Sequence, residues 1–546
     1  MRLLSAARAA VSWLREARPA PLLAVLVLAQ LGFVAWLAFA TPHNGWIWYS
    51  GGDATEYWTS QWSVAHGLIP QAVIGWGLPI LYAWIPLVAG PSLLNGLPVV
   101  VLFHTLVLGP LALVLIWALA DRLYGRVYSW AAATLWVVGP LLSIWAFAPR
   151  YRPRFEQAVL APHWAGLTDM ADFPSLVAVL ATAWATVRAV QNGRFGSALG
   201  AGVLGGIMIG IKPANGYFLP VVIVLLVAWR RPRLASGWAA GVVPAVVTLA
   251  LWKSRGLGTI PLLSAYAPVR EAGSGTLGLS NSPYLPLDWH HLSVLWAELR
   301  EVSGNLRLLQ FMLVASVLGA LRRNYRSGLF LVVWFVAFCV LKGMSSQADV
   351  YTLSYFRVTL PGFAALVLLV PAIGFLWPGT RSLRSVAEPE SWAVRMRSPV
   401  AVAAALAALL PLALVLAEHP ASTVHSVRLS PQNSEAPISA ALTPRITKAG
   451  ATVRLSWRPT ARTAATKVFY AVIRTTGNDG CSLPTRGAKE CILSNLPFLT
   501  SSPNITFTDR PGRGRFWYRI AALADDQAYQ WSQDLMLVGP AVSVRV

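Results

Sequence analysis

The sequence predicts an all-α polytopic membrane domain of about eleven transmembrane helices, followed by a C-terminal all-β sandwich domain. Three observations carry this. The 546 residues are 56% hydrophobic and only 12% charged, whereas soluble domains carry about 25% charged residues. Long apolar runs alternate with arginine clusters through the first three quarters of the chain. Beyond about residue 425 the runs shorten and alternate apolar with polar residues. The boundary is set at 420, giving a membrane domain over 1–420 and a sandwich over 421–546.

The apolar runs lie near 21–40, 97–120, 128–148, 173–191, 196–212, 217–230, 236–252, 306–321, 328–343, 358–377 and 399–417. Each is near the ~20 residues that cross a hydrocarbon core, although 217–230 is short and has proline at its edge. The first run ends in Ala38-Phe39-Ala40, which resembles a signal-peptidase site. Its apolar stretch is longer than the ~7–15 residues of a cleaved signal, so an uncleaved span is expected.

Arginine clusters set the sidedness. Arg122/Arg126, Arg188/Arg194, Arg230/Arg231/Arg233, Arg322/Arg323/Arg326 and Arg381/Arg384 follow the even-numbered spans. The N-terminus carries Arg2, Arg8, Arg15 and Arg18. The positive-inside rule assigns these segments and the N-terminus to the cytoplasm. Loops after odd-numbered spans, and the tail, then face outward. The net charge of +22 is thereby explained as topology, and no soluble basic face suggests nucleic acid.

In the tail, Val453-Arg454-Leu455-Ser456-Trp457 alternates, as do parts of Lys467–Arg474, Phe516–Ala522 and Ala541–Val546. A Trp in an early strand and the run Phe516-Trp517-Tyr518-Arg519-Ile520 resemble a fibronectin type III or related immunoglobulin-like domain. Cys339 lies inside a span and reads as a packing residue. An outward tail permits a disulfide between Cys481 and Cys491, whereas a reducing compartment would leave two thiols.

Candidate chemistry gathers in the outward loops. Thr41 to Pro98 has no Lys or Arg, yet holds Asp53 and Glu56 in Gly51-Gly52-Asp53-Ala54-Thr55-Glu56-Tyr57-Trp58. The glycines let the backbone bring the Asp53 carboxylate close to the membrane surface. The alternative reading is a helix-start acid or a solvated loop. The loop Pro149 to Pro174 holds Arg150, Arg152 and Arg154 against the positive-inside bias, then His163, Asp169 and Asp172. Guanidinium groups suit phosphate, either of a substrate or of lipid headgroups. Asp172 precedes Phe173-Pro174 and is placed to cap the fourth span; Asp169 has no such task. Lys212 ends the fifth span and Arg357 begins the tenth. Either could snorkel to the interface, or line a substrate path as buried cations in membrane proteins do.

Taken in order, these residues resemble a GT-C type membrane glycosyltransferase over roughly 20–400. The matching features are Asp53 in the first outer loop and the aromatic, proline-broken pieces of that loop, such as Gly75-Trp76-Gly77-Leu78-Pro79-Ile80-Leu81-Tyr82-Ala83-Trp84. Acids just before span four match too, as does Tyr355-Phe356-Arg357-Val358-Thr359-Leu360-Pro361, similar to the Arg-Tyr-x-x-x-Pro pattern at a late span. The family's Asp-Glu or Asp-x-Asp pair is here Asp53-x-x-Glu56.

The resemblance implies a polyprenyl-phosphate-linked sugar donor and an extracytoplasmic acceptor, which is a glycan, lipid or protein. It implies inversion, with Asp53 as general base. Glu56, Asp169 and Asp172 are secondary or acceptor-side acids. Lys212 and Arg357 are the donor-phosphate clamp, with Arg150, Arg152 and Arg154 in reserve. The chemistry does not require a metal; a divalent ion would find donors in Asp53, Asp169 and His163. Two competing classes are a lipid or polysaccharide transporter and a non-catalytic scaffold for the sandwich. The first would want polar residues at mid-span, and the charges here sit at span ends.

Overall fold

The computed structural model describes residues 12–40, 57–58, 60–61, 64–65, 68–69, 74–89, 93–151, 161–257, 288–304, 306–345, 348–377, 409, 413, 419–420, 426–428, 435–437, 440–458, 468–475, 492–497, 505–524 and 535–546. Asp53, Glu56, Arg152, Arg154, Cys481 and Cys491 lie outside them, as does nearly all of the eleventh expected span.

Helices occupy the other ten expected positions. Five are long and apolar enough to cross a membrane: Pro19–Ala38, Gly96–Tyr124, Asp172–Asn192, Leu234–Trp252 and Tyr325–Met344. Shorter apolar helices cover Phe195–Ile211, Pro213–Ala228 and Leu360–Leu376. Arg126–Ala146 and Leu306–Arg323 fill the third and eighth positions. Many of the large apolar residues on these helices stay exposed, including Leu28, Leu111, Val227 and Phe311. That is the surface expected of helices bathed in lipid, and the chain is a multi-pass membrane protein.

Glycine makes the tight turns. Gly125 adopts φ +92° between the Gly109–Tyr124 and Arg126–Ala146 helices, and Gly193 adopts φ +64° at the end of Asp172–Asn192. A side chain disfavours both conformations. Small residues also bring helices together. A Cβ on Gly206 of Phe195–Ile211 would meet the Ala245 Cβ of Leu234–Leu257 at 2.6 Å. This is close packing of the small-residue type that membrane helices use in place of a hydrophobic drive.

Loop contacts sort by parity. Arg122, after span two, bonds Gln191, after span four (3.0 Å). Arg322, after span eight, bonds the Leu376 carbonyl, after span ten (3.1 Å). On the other side, Gln61 reaches Asp169, Arg150 reaches Glu301, and the Val350 N–H reaches Glu298. All of those lie in loops after odd-numbered spans. The two ends of the bundle are therefore separate, with the span-flanking arginine clusters at one of them.

The tail is β-structure, as its alternation suggests. Arg445–Ala449, Thr452–Trp457 and Ile505–Asp509 form a three-stranded antiparallel sheet. Val468–Thr475, Ile492–Pro497, Arg515–Ala524, Leu535–Val538 and Val542–Arg545 form a five-stranded one. Val453, Leu455, Trp457, Val472, Tyr518 and Ile520 point inward and are buried. Trp517 is only half-buried and lies against Arg515.

Candidate active site

Asp172 opens the Asp172–Asn192 helix but does not cap it. Ala171 is the cap residue, and no side chain caps the first turn. The Asp172 carboxylate, 3% exposed as a residue, instead receives a hydrogen bond from Lys212 Nζ. Arg357 Nε stands 3.8 Å from its other oxygen. The helix N-terminus adds its own partial positive charge to the surroundings of this carboxylate.

Lys212 is aimed by its neighbours. Pro213 forces the residue before it out of the helical region, and Lys212 sits at φ −142°, ψ 107°. The chain then turns through Pro213–Phe218. Buried Asn215 locks that turn: its N–H bonds the Lys212 carbonyl (2.8 Å), and its Nδ2 bonds the Met208 carbonyl (2.8 Å). Its Oδ1 accepts from Ser175 Oγ (2.9 Å), one turn along the helix that Asp172 begins.

Arg357 is aimed by a strained turn. Leu353 adopts φ +68°, which is costly for a residue with a branched side chain. Asp349 and Ser354 hold the turn, through Thr352 N–H to Asp349 Oδ1 (2.5 Å) and Asp349 N–H to Ser354 Oγ (3.0 Å). The short Ser354–Val358 helix follows, with the Tyr355 hydroxyl donating to the Cys339 carbonyl (3.0 Å).

A third cation stands here that the motifs did not flag. Lys342 is 2% exposed, and a Cβ on the next residue, Gly343, would meet the Tyr355 ring of the Ser354–Val358 helix at 3.0 Å. It follows a π-helical stretch, Val336–Leu341, which widens the helix and changes which way the next residue points. Its one sequence signal was a lone Lys closing an apolar run.

The loop between the Arg126–Ala146 and Asp172–Asn192 helices forms a neighbouring polar layer. Asp169 is fully buried and accepts from Gln61 Nε2 (3.0 Å). Its second oxygen has no hydrogen-bond partner among the described residues. Burial pushes its carboxyl up to about 7 against the opposing Gln61 bond. Nearby, the Tyr82 hydroxyl lies 2.7 Å from His104 Nε2, and His104 Nδ1 lies 3.1 Å from the Gly166 carbonyl. A carbonyl only accepts, so Nδ1 carries the proton and Nε2 accepts from tyrosine. His104 and Tyr82 were missed in the sequence because a lone His in an apolar span gives no pattern.

The first loop is docked beside this layer. Trp76 packs over Gly210, and its indole donates to the Ala245 carbonyl (3.2 Å). A side chain on Gly77 would meet the Ile211 nitrogen at 2.5 Å. Residues 74–77 therefore lie against the helix end that carries Lys212. Leu81, Trp84, Leu87 and Val88 of the Gly77–Tyr82 and Trp84–Ala89 helices point away and stay exposed.

The remaining candidates part company. Arg150 is not joined to the Asp172 cluster: it bonds Glu301 Oε1 (3.2 Å), 68% exposed, and lies over Tyr151. His163 is buried edge-on to Phe33 and beside Trp136, each 5.2 Å away between ring centroids. Burial pushes its imidazole down to about 3, so it is neutral. Among the described residues no group of three His, Cys, Asp or Glu side chains could hold a metal.

Residues 158–252 match the family model described as dolichyl-phosphate-mannose-protein mannosyltransferase. The stretch includes His163, Asp169, Asp172 and Lys212, and the family is of the GT-C type read from the outer-loop residues. No curated protein matches the chain. Among solved structures, the arabinosyltransferase EmbB from Mycobacterium smegmatis aligns at 14% identity and a TM-score of 0.29, covering 95% of this chain and 62% of that one. At that score the likeness carries no argument, and the chain spans less than two thirds of that protein's length.

Proposed function

We propose that the protein transfers a sugar from a polyprenyl-phosphate donor to an extracytoplasmic acceptor, with inversion. One observation carries this reading: a buried carboxylate, Asp172, shared by Lys212 and Arg357 at the bundle end where the first and second outer loops meet. The two cations are part-exposed (20% and 35%), and cations placed so suit a phosphate oxyanion at membrane depth. The matched family, by its printed description, uses a phosphate-linked sugar.

The step balances without a further reagent. An acceptor hydroxyl oxygen attacks the anomeric carbon, and the bond from that carbon to the phosphate oxygen breaks. The electron pair goes to the phosphate, where Lys212 and Arg357 stabilise it. The hydroxyl proton passes to Asp53 as general base. A single displacement from the opposite face inverts the centre. Asp53 is eight residues before Gln61, a reach of at most about 28 Å for extended chain, which keeps it within range of the second loop. Glu56 and Asp169 serve as secondary acids beside the acceptor. Asp172 acts through the cations it orients.

The exposed apolar side chains of the 77–89 helices suit contact with the donor's lipid tail. The sandwich domain, of fibronectin type III kind, stands outward as an acceptor-holding accessory, with Cys481 and Cys491 joined.

The test is Asp53→Asn in membranes supplied with labelled polyprenyl-phosphate sugar. Loss of transfer at normal protein level is expected. Undiminished transfer sinks the base assignment.

A further inference from the structure

The three-stranded sheet of the tail has one side turned into its core and one side open. Val453, Leu455 and Trp457 of the Thr452–Trp457 strand alternate inward and are buried. Arg454 and Ser456 take the other phase of that strand, and Arg458 continues it just past the strand end. The register fills in the rest of the open side. On the Arg445–Ala449 strand, Arg445 stands opposite Ser456, and Thr447 opposite Arg454. On the Ile505–Asp509 strand, Thr506 stands opposite Ser456, and Thr508 opposite Arg454. Arg445 is thus one strand spacing, about 4.8 Å, from the row of Arg454 and Arg458, and level with the gap between them.

These side chains border one open groove of about 640 Å³, lined by all three arginines together with Thr443, Thr447 and Thr506. That volume is in the range that takes a ligand of several rings, far more than one small anion needs. Arg445, Arg454 and Arg458 are exposed. No described carboxylate pairs with them: the acid of the third strand, Asp509, is on the inward phase opposite Val453. Arg474 and Tyr518 hold it there, at 2.9 Å and 2.6 Å.

The residue types define what fits. Guanidinium forks match carboxylate and phosphate oxygens. Threonine and serine hydroxyls both donate and accept, as the alcohol groups of a sugar require. A sheet that lay on lipid would add apolar or aromatic side chains to its basic ones. Among the described residues of the tail no large apolar side chain is exposed.

We propose that the open face of this sheet binds an acidic glycan, one that carries carboxylate or phosphate groups along its length. The proposal rests on the reading of the sandwich as an outward, acceptor-holding accessory, and it narrows the acceptor to an acidic polymer. Arginines set out in a row meet successive charges of such a chain, and the hydroxyls between them meet its sugar alcohols.

The test uses the full chain in phosphatidylcholine nanodiscs, where both sides of the protein are open to solution. The probes are a fluorescent oligogalacturonate, its neutral methyl ester, and a phosphorylated oligomannose. The wild type is expected to bind at least one acidic oligomer and not the neutral ester, with affinity that falls as salt rises. The triple variant Arg445→Gln, Arg454→Gln, Arg458→Gln should lose about tenfold or more in affinity, and Arg454→Gln alone about threefold. These side chains are exposed, so melting temperatures should stay at the wild-type value. Lys448→Gln removes an equal charge from the same strand, but its register partner is the inward Val453; it should bind as the wild type does. A wild type that binds neither acidic oligomer, or a triple variant that binds as well as the wild type, overturns the proposal. Arginine-dependent capture of phosphatidylglycerol vesicles without binding of either oligomer makes the face a membrane contact and also overturns it. Binding in nanodiscs but not to the outside of sealed right-side-out vesicles overturns the outward placement, and with it the acceptor role. Asp53→Asn should bind the oligomers unchanged, so the catalytic reading stands or falls separately.

Discussion

Lys212, which ends one transmembrane helix, donates a hydrogen bond to Asp172, which begins another. The pair ties two adjacent antiparallel helices at the end of the bundle away from the arginine clusters and is joined there by Arg357 from a third. Breaking a buried pair from one side leaves a charge with no partner, which costs more than removing both.

Asp172→Asn leaves two part-exposed cations without their anion and is expected to destabilise the protein by about 1–3 kcal/mol, and Lys212→Met by a similar amount because Arg357 still faces the buried carboxylate. The double variant should cost less than the sum of the two. Thermal unfolding of the four proteins in detergent closes the cycle. Strict additivity would mean that the two side chains do not interact.

Asp169 gives a pH dependence with a definite sign. Its carboxyl is raised by burial to about 7, above the unfolded value near 3.9. The native state holds that proton more tightly than the unfolded chain. Its contribution is fully present below about pH 4 and is lost as pH rises through about 7. Asp169→Asn keeps an acceptor for Gln61 but has no charge to bury. The variant should match the wild type at pH 4 and exceed it in melting temperature at pH 8. Equal pH profiles for the two proteins would contradict the burial of this carboxylate.

Gly210→Ala tests the docking of the first loop. The new methyl group would strike the Trp76 ring, whose Nε1 lies 2.9 Å from the ideal Cβ position. Hydrogen exchange in residues 74–82 should rise several-fold, with a smaller change in Asp172–Asn192. The added methyl costs ~1–3 kcal/mol if the loop stays in place. Trp76→Leu in the same chain should restore part of the protection. Unaltered exchange would mean that the loop is not held by this contact.

Glu301 is the hub of a second cluster at this end of the bundle, accepting from Arg150, Tyr151 and Tyr351. The tyrosine hydroxyls hold its carboxyl below the usual range. Its stabilising effect is present above the unfolded value and fades as pH falls through the lower folded one. Glu301→Ala should speed hydrogen exchange in 348–353, the turn that leads to Arg357, and leave the Lys212–Asp172 pair intact. Protection of 348–353 equal to wild type would rule out this hub as the anchor of the turn.

Much of the architecture could be read from the chain alone. Apolar runs of membrane length, punctuated by Gly, Pro and Arg, dictate where helices start and stop because the bilayer leaves the backbone no other partner. The helix positions, the grouping of loops by parity and the alternating strands of the tail follow from that local logic. So does the presence of Asp169, Asp172, Lys212 and Arg357 at one end of the bundle. Pairing was a different matter. Asp172 looked like a helix cap, yet it is an ion-pair partner of residues 40 and 185 positions further along. Arg150 looked like a phosphate ligand, yet it is committed to Glu301. Lys342, His104 and Tyr82 gave no pattern at all. Which side chains meet depends on how helices cross, on a π-helical widening before Lys342 and on a strained turn at Leu353. Those features arise from packing between distant segments, and charge in a low-dielectric interior gains or loses its value by distances that only the packed bundle sets.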